Sequence, residues 1–263
     1  MNVGFLGFGA MGRALAEGLV HAGALQAAQV YACALNQEKL RAQCTSLGIG
    51  ACASVQELVQ KSEWIFLAVK PSQISTVLRD RQSFQGKVLI SLAAGMSCAA
   101  YEALFAADPH QGIRHLSLLP NLPCQVARGV IIAEARHTLH HDEHAALLAV
   151  LRTVAQVEVV DTAYFAIAGV IAGCAPAFAA QFIEALADAG VRYGLARDQA
   201  YRLAAHMLEG TAALIQHSGV HPAQLKDRVC SPAGSTIRGV LALEEQGLRR
   251  AVIHAVRAAL SSS

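Results

Sequence analysis

Two stretches of this chain carry residue types suited to holding an anion. Near the carboxyl end, QLKDRVCSPAGSTIRG (224–239) gathers Ser231, Pro232, Gly234, Ser235 and Thr236 between helical segments, in a chain that is 54% hydrophobic. Small hydroxyl residues and glycine at a helix start leave free backbone N–H groups, which face water, a cap or an anion. Near the amino end, VGFLGFGAMG (3–12) sets Gly7, Gly9 and Gly12 as G-x-G-x-x-G directly after an apolar run. Met11, Leu15, Gly18 and Leu19 then recur at helical spacing. Between a strand and a helix, Gly7 permits a tight turn, Gly9 lets the main chain approach a pyrophosphate, and Gly12 packs helix on strand.

The elements that must position these residues follow from the pattern around them. QVYACA (29–34), EWIFLAV (63–69), KVLISLAAG (87–95) and IRHLSLL (113–119) read as strands, with helical stretches such as 37–47 and 73–81 between them. Strands alternating with helices predict an α/β fold, a Rossmann-type doubly wound parallel sheet. Ligands of such sheets lie off the carboxyl ends of the strands, where Lys70, Ala94, Gly95 and Asn121 fall. At the end of the second strand the chain reads Ala34-Leu35-Asn36-Gln37, with its first acid at Glu38. An NAD-preferring site commonly has an acid there; an uncharged turn leaves room for a 2′-phosphate, with Lys39 or Arg41 close by, and favours NADPH over NADH. Ser54 and Glu57 form an S-x-x-E capping box ahead of a short helix.

From about Asp161 the strand signal ends, and 163–194, 198–217, 232–246 and 248–260 read as alanine- and leucine-rich helices. We therefore divide the chain into a dinucleotide-binding domain, 1–160, and an all-helical C-terminal substrate and dimerisation domain, 161–263. Helices apolar around so much of their circumference require a partner surface, which predicts a homodimer or higher homo-oligomer. The window 163–180 nears the roughly 18 apolar residues of a membrane span. Pro176 interrupts it and Asp161, Gln181 and Glu184 flank it, so the sequence predicts a buried core helix and no membrane insertion. With 21 basic residues against 19 acids there is no basic stripe for nucleic acid. Seven scattered cysteines without a C-x-x-C pair, and an amino terminus that opens into a strand, predict a reduced cytoplasmic setting. The closing serine run, 261–263, reads as a frayed tail.

Taken together, GFLGFGAMG (4–12), LAVKP (67–71), SLAAG (91–95), PNLP (120–123) and above all HPAQLKDRVCSPAGSTI (221–237) resemble the pyrroline-5-carboxylate reductase family across nearly the whole chain. The resemblance implies NAD(P)H-dependent reduction of the cyclic imine 1-pyrroline-5-carboxylate to L-proline, the last step of proline biosynthesis. It also implies that the carboxylate of this cyclic imino acid binds Ser231, Gly234, Ser235 and Thr236. On the same resemblance, Thr236 is the residue expected to orient the substrate and to bond its ring nitrogen. The competing reading of Ser235 and Thr236 is that one of them merely caps a helix over 237–246. For the cofactor, the motifs and the resemblance nominate Gly7, Phe8, Gly9, Ala10, Met11, Gly12, Asn36 and Ser54. They add Ala68, Val69 and Lys70 of the AVKP turn, Ala93, Ala94 and Gly95, and Asn121.

Several positions depart from the family pattern. Leu122 replaces a threonine, Ser117 an arginine, and Ala233 a glycine. Residues 172–178 read AGCAPAF where the family usually has S-G-S-G/S-P-A-Y, which removes or changes hydroxyl positions at Ala172, Cys174 and Phe178. Two alternatives therefore stand beside the leading one: a related reductase of a bulkier or less polar cyclic imino acid, and a non-catalytic NAD(P)-binding sensor. The run HTLHHDEH (137–144) reads as a polar helix start and not a metal site. Cys124 and Cys174 read as buried, inert thiols, and Lys226 as a partner of Asp227 or of a helix end.

Overall fold

A computed structural model describes residues 1–106 and 112–261, so the last two serines of the expected frayed tail lie outside the described residues. Its contacts divide the chain into two compact units, Met1–Cys174 and a second that begins at Ala175.

The first unit opens with β1 (Val3–Leu6), α1 (Ala10–His21), β2 (Val30–Cys33), α2 (Gln37–Leu47) and the short β3 (Gly50–Ala51). It continues through α3 (Val55–Lys61), β4 (Trp64–Leu67), α4 (Pro71–Val77), β5 (Val88–Ser91), α5 (Cys98–Phe105) and β6 (Arg114–Pro120). β7 (Gly129–Glu134), α6 (His141–Leu151), β8 (Ala155–Val160), α7 (Thr162–Gly169) and a π-helical turn (Val170–Cys174) complete it. The strands form one sheet in the order β3-β2-β1-β4-β5-β6-β7-β8. Every pair is parallel except β6 with β7, because the short connection 121–128 leaves no room for a crossover helix.

The sheet is buried on both faces, and the period of two in the strands shows why. Val3, Phe5, Trp64, Phe66, Val88 and Ile90 enter one core cluster, while Leu6, Ile65, Leu67 and Leu89 enter the other. Phe5 stacks on Phe66 with ring centroids 4.8 Å apart. Helix α4 starts at Pro71, ahead of the 73 expected, since proline at the first helical position needs no N–H partner. β3, β7 and β8 are additions to the expected strands.

The second unit is helical: α8 (Ala175–Arg192), α9 (Arg197–Ser218), α10 (Pro222–Arg228), α11 (Ser235–Glu245) and α12 (Leu248–Leu260). α8 and α9 form an antiparallel hairpin that turns at Gly194 (φ +97°) and is tied by an Asp188–Arg197 ion pair. Little of this unit is buried. α10, α11 and α12 contain no buried residue, and Leu203, Leu214, Leu241, Val252 and Ile253 are all exposed. The expected core helix over 163–180 is also corrected. Thr162–Arg192 is long and apolar enough to cross a membrane, yet only 11% of its most apolar window is buried. Among the described residues, Phe165, Val170 and Ala172 of this helix are buried, while Tyr164 and Ile171 stay exposed.

Candidate functional site

The site grows from the carboxyl ends of β1, β2 and β4. Gly7 follows β1 with φ +90°, and its N–H donates to the Cys33 carbonyl at 2.8 Å. A Cβ built there would lie 2.5 Å from the Ala68 carbonyl oxygen, so a side chain is excluded by both conformation and space. Gly12 faces the same turn: its Cβ would sit 2.7 Å from the Gly7 oxygen. Gly9 differs, because a Cβ on it would enter open space. It is the cap residue of α1, without a side-chain bond to the first turn and without an acid there. The amides of Ala10, Met11 and Gly12 thus begin a helix with no side-chain cap, at the positive end of its dipole.

This helix start opens on a cleft of about 730 Å³. Of the residues nominated from sequence, Gly7, Gly9, Ser54, Ala68, Val69 and Lys70 line it. Leu35, Gln37, Val55, Ser72, Gln73 and Thr76 line it as well, and sequence reasoning missed them. The last three form the polar face of α4, a signal present in PSQIST once the helix is started at Pro71. Among the described residues that line the cleft, Lys70 is the one charged side chain. Open space at Gly9, uncapped amides and a lone lysine fit the diphosphate and phosphate groups of a dinucleotide.

The other nominees, and the Ser54 side chain, have further partners. The Phe8 ring is buried in the core against Phe5, so only its main chain belongs to the turn. Asn36 uses its side-chain oxygen to cap α2 at the Lys39 amide, 2.9 Å away. Ser54 caps α3 by accepting the Glu57 N–H at 3.1 Å, while the Glu57 carboxylate accepts the Ala53 N–H at 2.7 Å, one residue before the Ser54 amide that the expected S-x-x-E box would use. The Lys61 ammonium and that Ala53 amide hold the Glu57 carboxyl below the usual range. Beside the cleft, burial and then the charge of Glu57 push the Cys33 thiol upward. Ala93, Ala94 and Gly95 follow β5 in a turn with Gly95 at φ +77°, off the cleft wall. Asn121, after β6, is 5% exposed; it donates to the Ala172 carbonyl at 3.0 Å and accepts the Val130 N–H at 2.9 Å. Its amide thereby pins the π-helical turn.

In the second unit, Ser231–Gly234 is a tight turn closed by Gly234 N–H donating to the Ser231 carbonyl at 3.0 Å. Pro232 and then Ala233 at φ +57° give it a type II pattern, in which alanine sits where glycine is favoured. A Cβ on Gly234 would meet the Ser231 hydroxyl oxygen. α11 starts at Ser235 and its cap is Gly234, with no side-chain bond and no acid in the first turn. Neither Ser235 nor Thr236 is therefore the cap, and the helix begins earlier than a start at 237 would require. Lys226 pairs with Asp227 at 2.9 Å.

Two groups expected to be inert resolve differently. Cys124 is buried and burial raises its thiol, whereas Cys174, at the end of the π-helical turn, is exposed and not buried as expected. In the histidine run, the His140 N–H donates to Glu143 as the start of α6, and the His137 and His144 rings lie 4.1 Å apart. Among the described residues, no three His, Cys, Asp or Glu side chains gather as a metal ion would require.

Comparison with known proteins now bears on this geometry. Residues 162–263 match the model for pyrroline-5-carboxylate reductase dimerisation, and residues 2–95 match that for coenzyme F420-dependent NADP oxidoreductases. Pyrroline-5-carboxylate reductase 3 of Macaca fascicularis is 38% identical over 98% of this chain and 93% of its own length. The Escherichia coli (strain K12) pyrroline-5-carboxylate reductase is 35% identical over 100% of this chain and 97% of the relative. The chain belongs to the pyrroline-5-carboxylate reductase family. Among solved structures, the Plasmodium falciparum pyrroline carboxylate reductase with NADP bound superposes with a TM-score of 0.89 at 27% identity, covering 100% of this chain and 96% of that one. For a pyrroline-5-carboxylate reductase, the uncovered helices have a direct meaning. The dimerisation match spans α7 to α12, the elements that carry the exposed apolar residues, and supports homo-oligomerisation.

Proposed function

We propose that this chain reduces 1-pyrroline-5-carboxylate to L-proline with NADPH, NADH being the alternative reductant, as a cytoplasmic homodimer or higher homo-oligomer. Neither a membrane nor a nucleic acid takes part. Full-length kinship to reductases of that name carries the reading. We keep 1–160 as the cofactor-binding part and 161–263 as the substrate and assembly part.

When bound, the cofactor supplies the hydride that reduces the C=N bond. The chain's residues hold, orient and charge-balance the reactants. The uncapped amides of Ala10, Met11 and Gly12 take the diphosphate, with Phe8 and Gly9 contributing main chain and Lys70 a positive charge. Asn36 and Ser54 flank the ribose end, Ala68 and Val69 form the floor, and Ala93, Ala94, Gly95 and Asn121 serve the nicotinamide end.

On the substrate side, the amides of Ser235 and Thr236 and the turn Ser231–Gly234 receive the carboxylate, which small residues leave accessible. The Thr236 hydroxyl orients the ring nitrogen. The imine reacts as its protonated form, already a strong electrophile, so no powerful general acid is required of the chain. What supports this role for 231–236 is a helix start that no side chain caps, behind a turn that keeps Ala233 at positive φ.

A second reading has one observation in its favour: Leu122 is half exposed where the family has threonine, which suits a less polar cyclic imino acid. Steady-state NADPH and NADH oxidation with pyrroline-5-carboxylate and with six-membered cyclic imino acids tests both readings. Turnover fastest with pyrroline-5-carboxylate supports the first, a preference for the larger ring supports the second, and NADPH binding without turnover of either sinks both.

A further inference from the structure

Glu134, the last residue of β7, is 0% exposed. Acidic side chains are almost never fully buried unless their charge is met. Here one carboxylate oxygen accepts the Cys98 N–H at 2.6 Å, and the other accepts the Thr162 hydroxyl at 2.7 Å. Cys98 is the first residue of α5 and Thr162 the first of α7, so both donors stand at the positive ends of helix dipoles. An aliphatic residue would fill the same volume without the desolvation cost. The acid is accounted for by what its two oxygens hold.

One of those things is the loop 93–97. The Ser91 hydroxyl, fixed by the Tyr101 hydroxyl at 2.8 Å, accepts the Ala93 N–H at 3.2 Å. Ser117, which stands where the family has arginine, donates to the Met96 carbonyl at 2.7 Å. The Cys98 amide, held by Glu134, closes the set. Each end of the loop is thus tied to a buried polar side chain of the sheet, off the carboxyl end of β5 where ligands of such sheets lie.

We propose that Glu134 is a positioning residue for the reaction: one carboxylate oxygen fixes the loop 93–97 through the Cys98 amide, and the other fixes the first turn of α7 through Thr162. The proposal rests on the reading that 93–95 serves the cofactor. It gives NADPH a preformed loop, which lowers the ordering cost of binding.

Dissociation constants for NADPH and hydrogen exchange on the full-length ligand-free oligomer test it. Glu134→Leu removes both acceptors at similar volume. It raises the NADPH Kd and KM at least about tenfold, as expected for losing a hydrogen bond to a charged group, with kcat changed much less. It also speeds exchange of amides 94–98. Glu134→Gln restores a Kd within about threefold of the parent, because its amide can accept from Cys98 and donate to Thr162. Thr162→Val leaves the Kd within about twofold, since the loop arm is intact. Should Glu134→Leu not fold, Cys98→Pro deletes the amide donor, and Cys98→Ala is its control for the thiol contacts with Glu102 and His115 that are lost with it. Proline suits the first helical position, and Ser97 before it is already extended at ψ 169°. An unchanged NADPH Kd in Glu134→Leu or Cys98→Pro, or a Gln variant as impaired as Leu, overturns the proposal. Failure of the parent to reduce pyrroline-5-carboxylate would sink the functional reading while leaving the Kd series to judge Glu134.

Discussion

The starts of α1 and α11 face the same requirement by different means. Each begins with no side-chain cap and no acid in its first turn. At α1 the turn is built into a sheet: Gly7 leaves no room for a Cβ beside the Ala68 carbonyl, and Phe8 sits in the core. At α11 the turn is local, closed by one backbone bond, and followed by a helix without a buried residue. The first region carries its own rigidity. The second has a preformed turn on an element that the single chain leaves without a buried residue. Substitutions should therefore fail differently in the two places.

The largest effect belongs to Gly7→Ala. The new Cβ would stand 2.5 Å from a backbone oxygen at φ +90°, a conformation costing about 1–2 kcal/mol before any clash. We expect NADPH binding lost to titration and a melting temperature lowered by several degrees. Gly9→Ala is the control, because its Cβ meets nothing. It should keep stability to within about 1 kcal/mol while raising the NADPH Kd at least about tenfold. Equal affinities in Gly9→Ala and the parent would break the claim that the cofactor approaches this main chain.

Next in size is Ile253→Glu on α12, where the side chain is 70% exposed in the single chain. On a free surface such a change costs within about 0.5 kcal/mol. Within an interface it buries a charge, so sedimentation should show monomers and turnover should fall sharply. A wild-type oligomer would show that this face is open to water.

How much of this contrast was legible in advance follows from the type of signal. The glycine spacing at 7, 9 and 12 and the apolar runs of β1, β4 and β5 are local, and they fix the Rossmann-type half. β7 and β8 escaped because GVIIAE and AQVEVV are short and lie beyond a loop whose direction only the closed sheet decides. Ser72, Gln73 and Thr76 escaped because a helix boundary misplaced by two residues hides which face is polar. The helix over 163–180 was misjudged for a different reason. Apolar composition states that a surface must be covered and says nothing about whether the same chain covers it. Asn121 and Glu134 show a third case: the partners of a buried amide or acid at a strand end come from distant segments, so spacing alone does not name them.

Thr236→Ala separates binding from capping at the second turn. Since Gly234 is the cap of α11, removing the hydroxyl should shift the melting temperature by no more than about 2 °C. Losing a hydrogen bond to a charged substrate, about 1.5–3 kcal/mol, should lower kcat/KM by one to two orders of magnitude. Matched losses of stability and turnover would instead assign Thr236 to the helix.

The smallest effect tests the turn that presents it. Ala233 holds φ +57° where glycine would be unstrained. Ala233→Gly relieves about 1–2 kcal/mol of left-handed strain and adds back about 0.4–1 kcal/mol of unfolded-chain entropy. The net gain is about 0.5–1 kcal/mol, a rise of roughly 1–4 °C by differential scanning calorimetry, with kcat/KM within about twofold. The sign matters more than the size. A stabilised and equally active variant means that the backbone of 231–234 presents its amides whatever occupies position 233. A destabilised one means that the alanine methyl packs against something in the assembled enzyme, and the turn is then held by contacts from beyond itself, as the turn before α1 is held by the sheet.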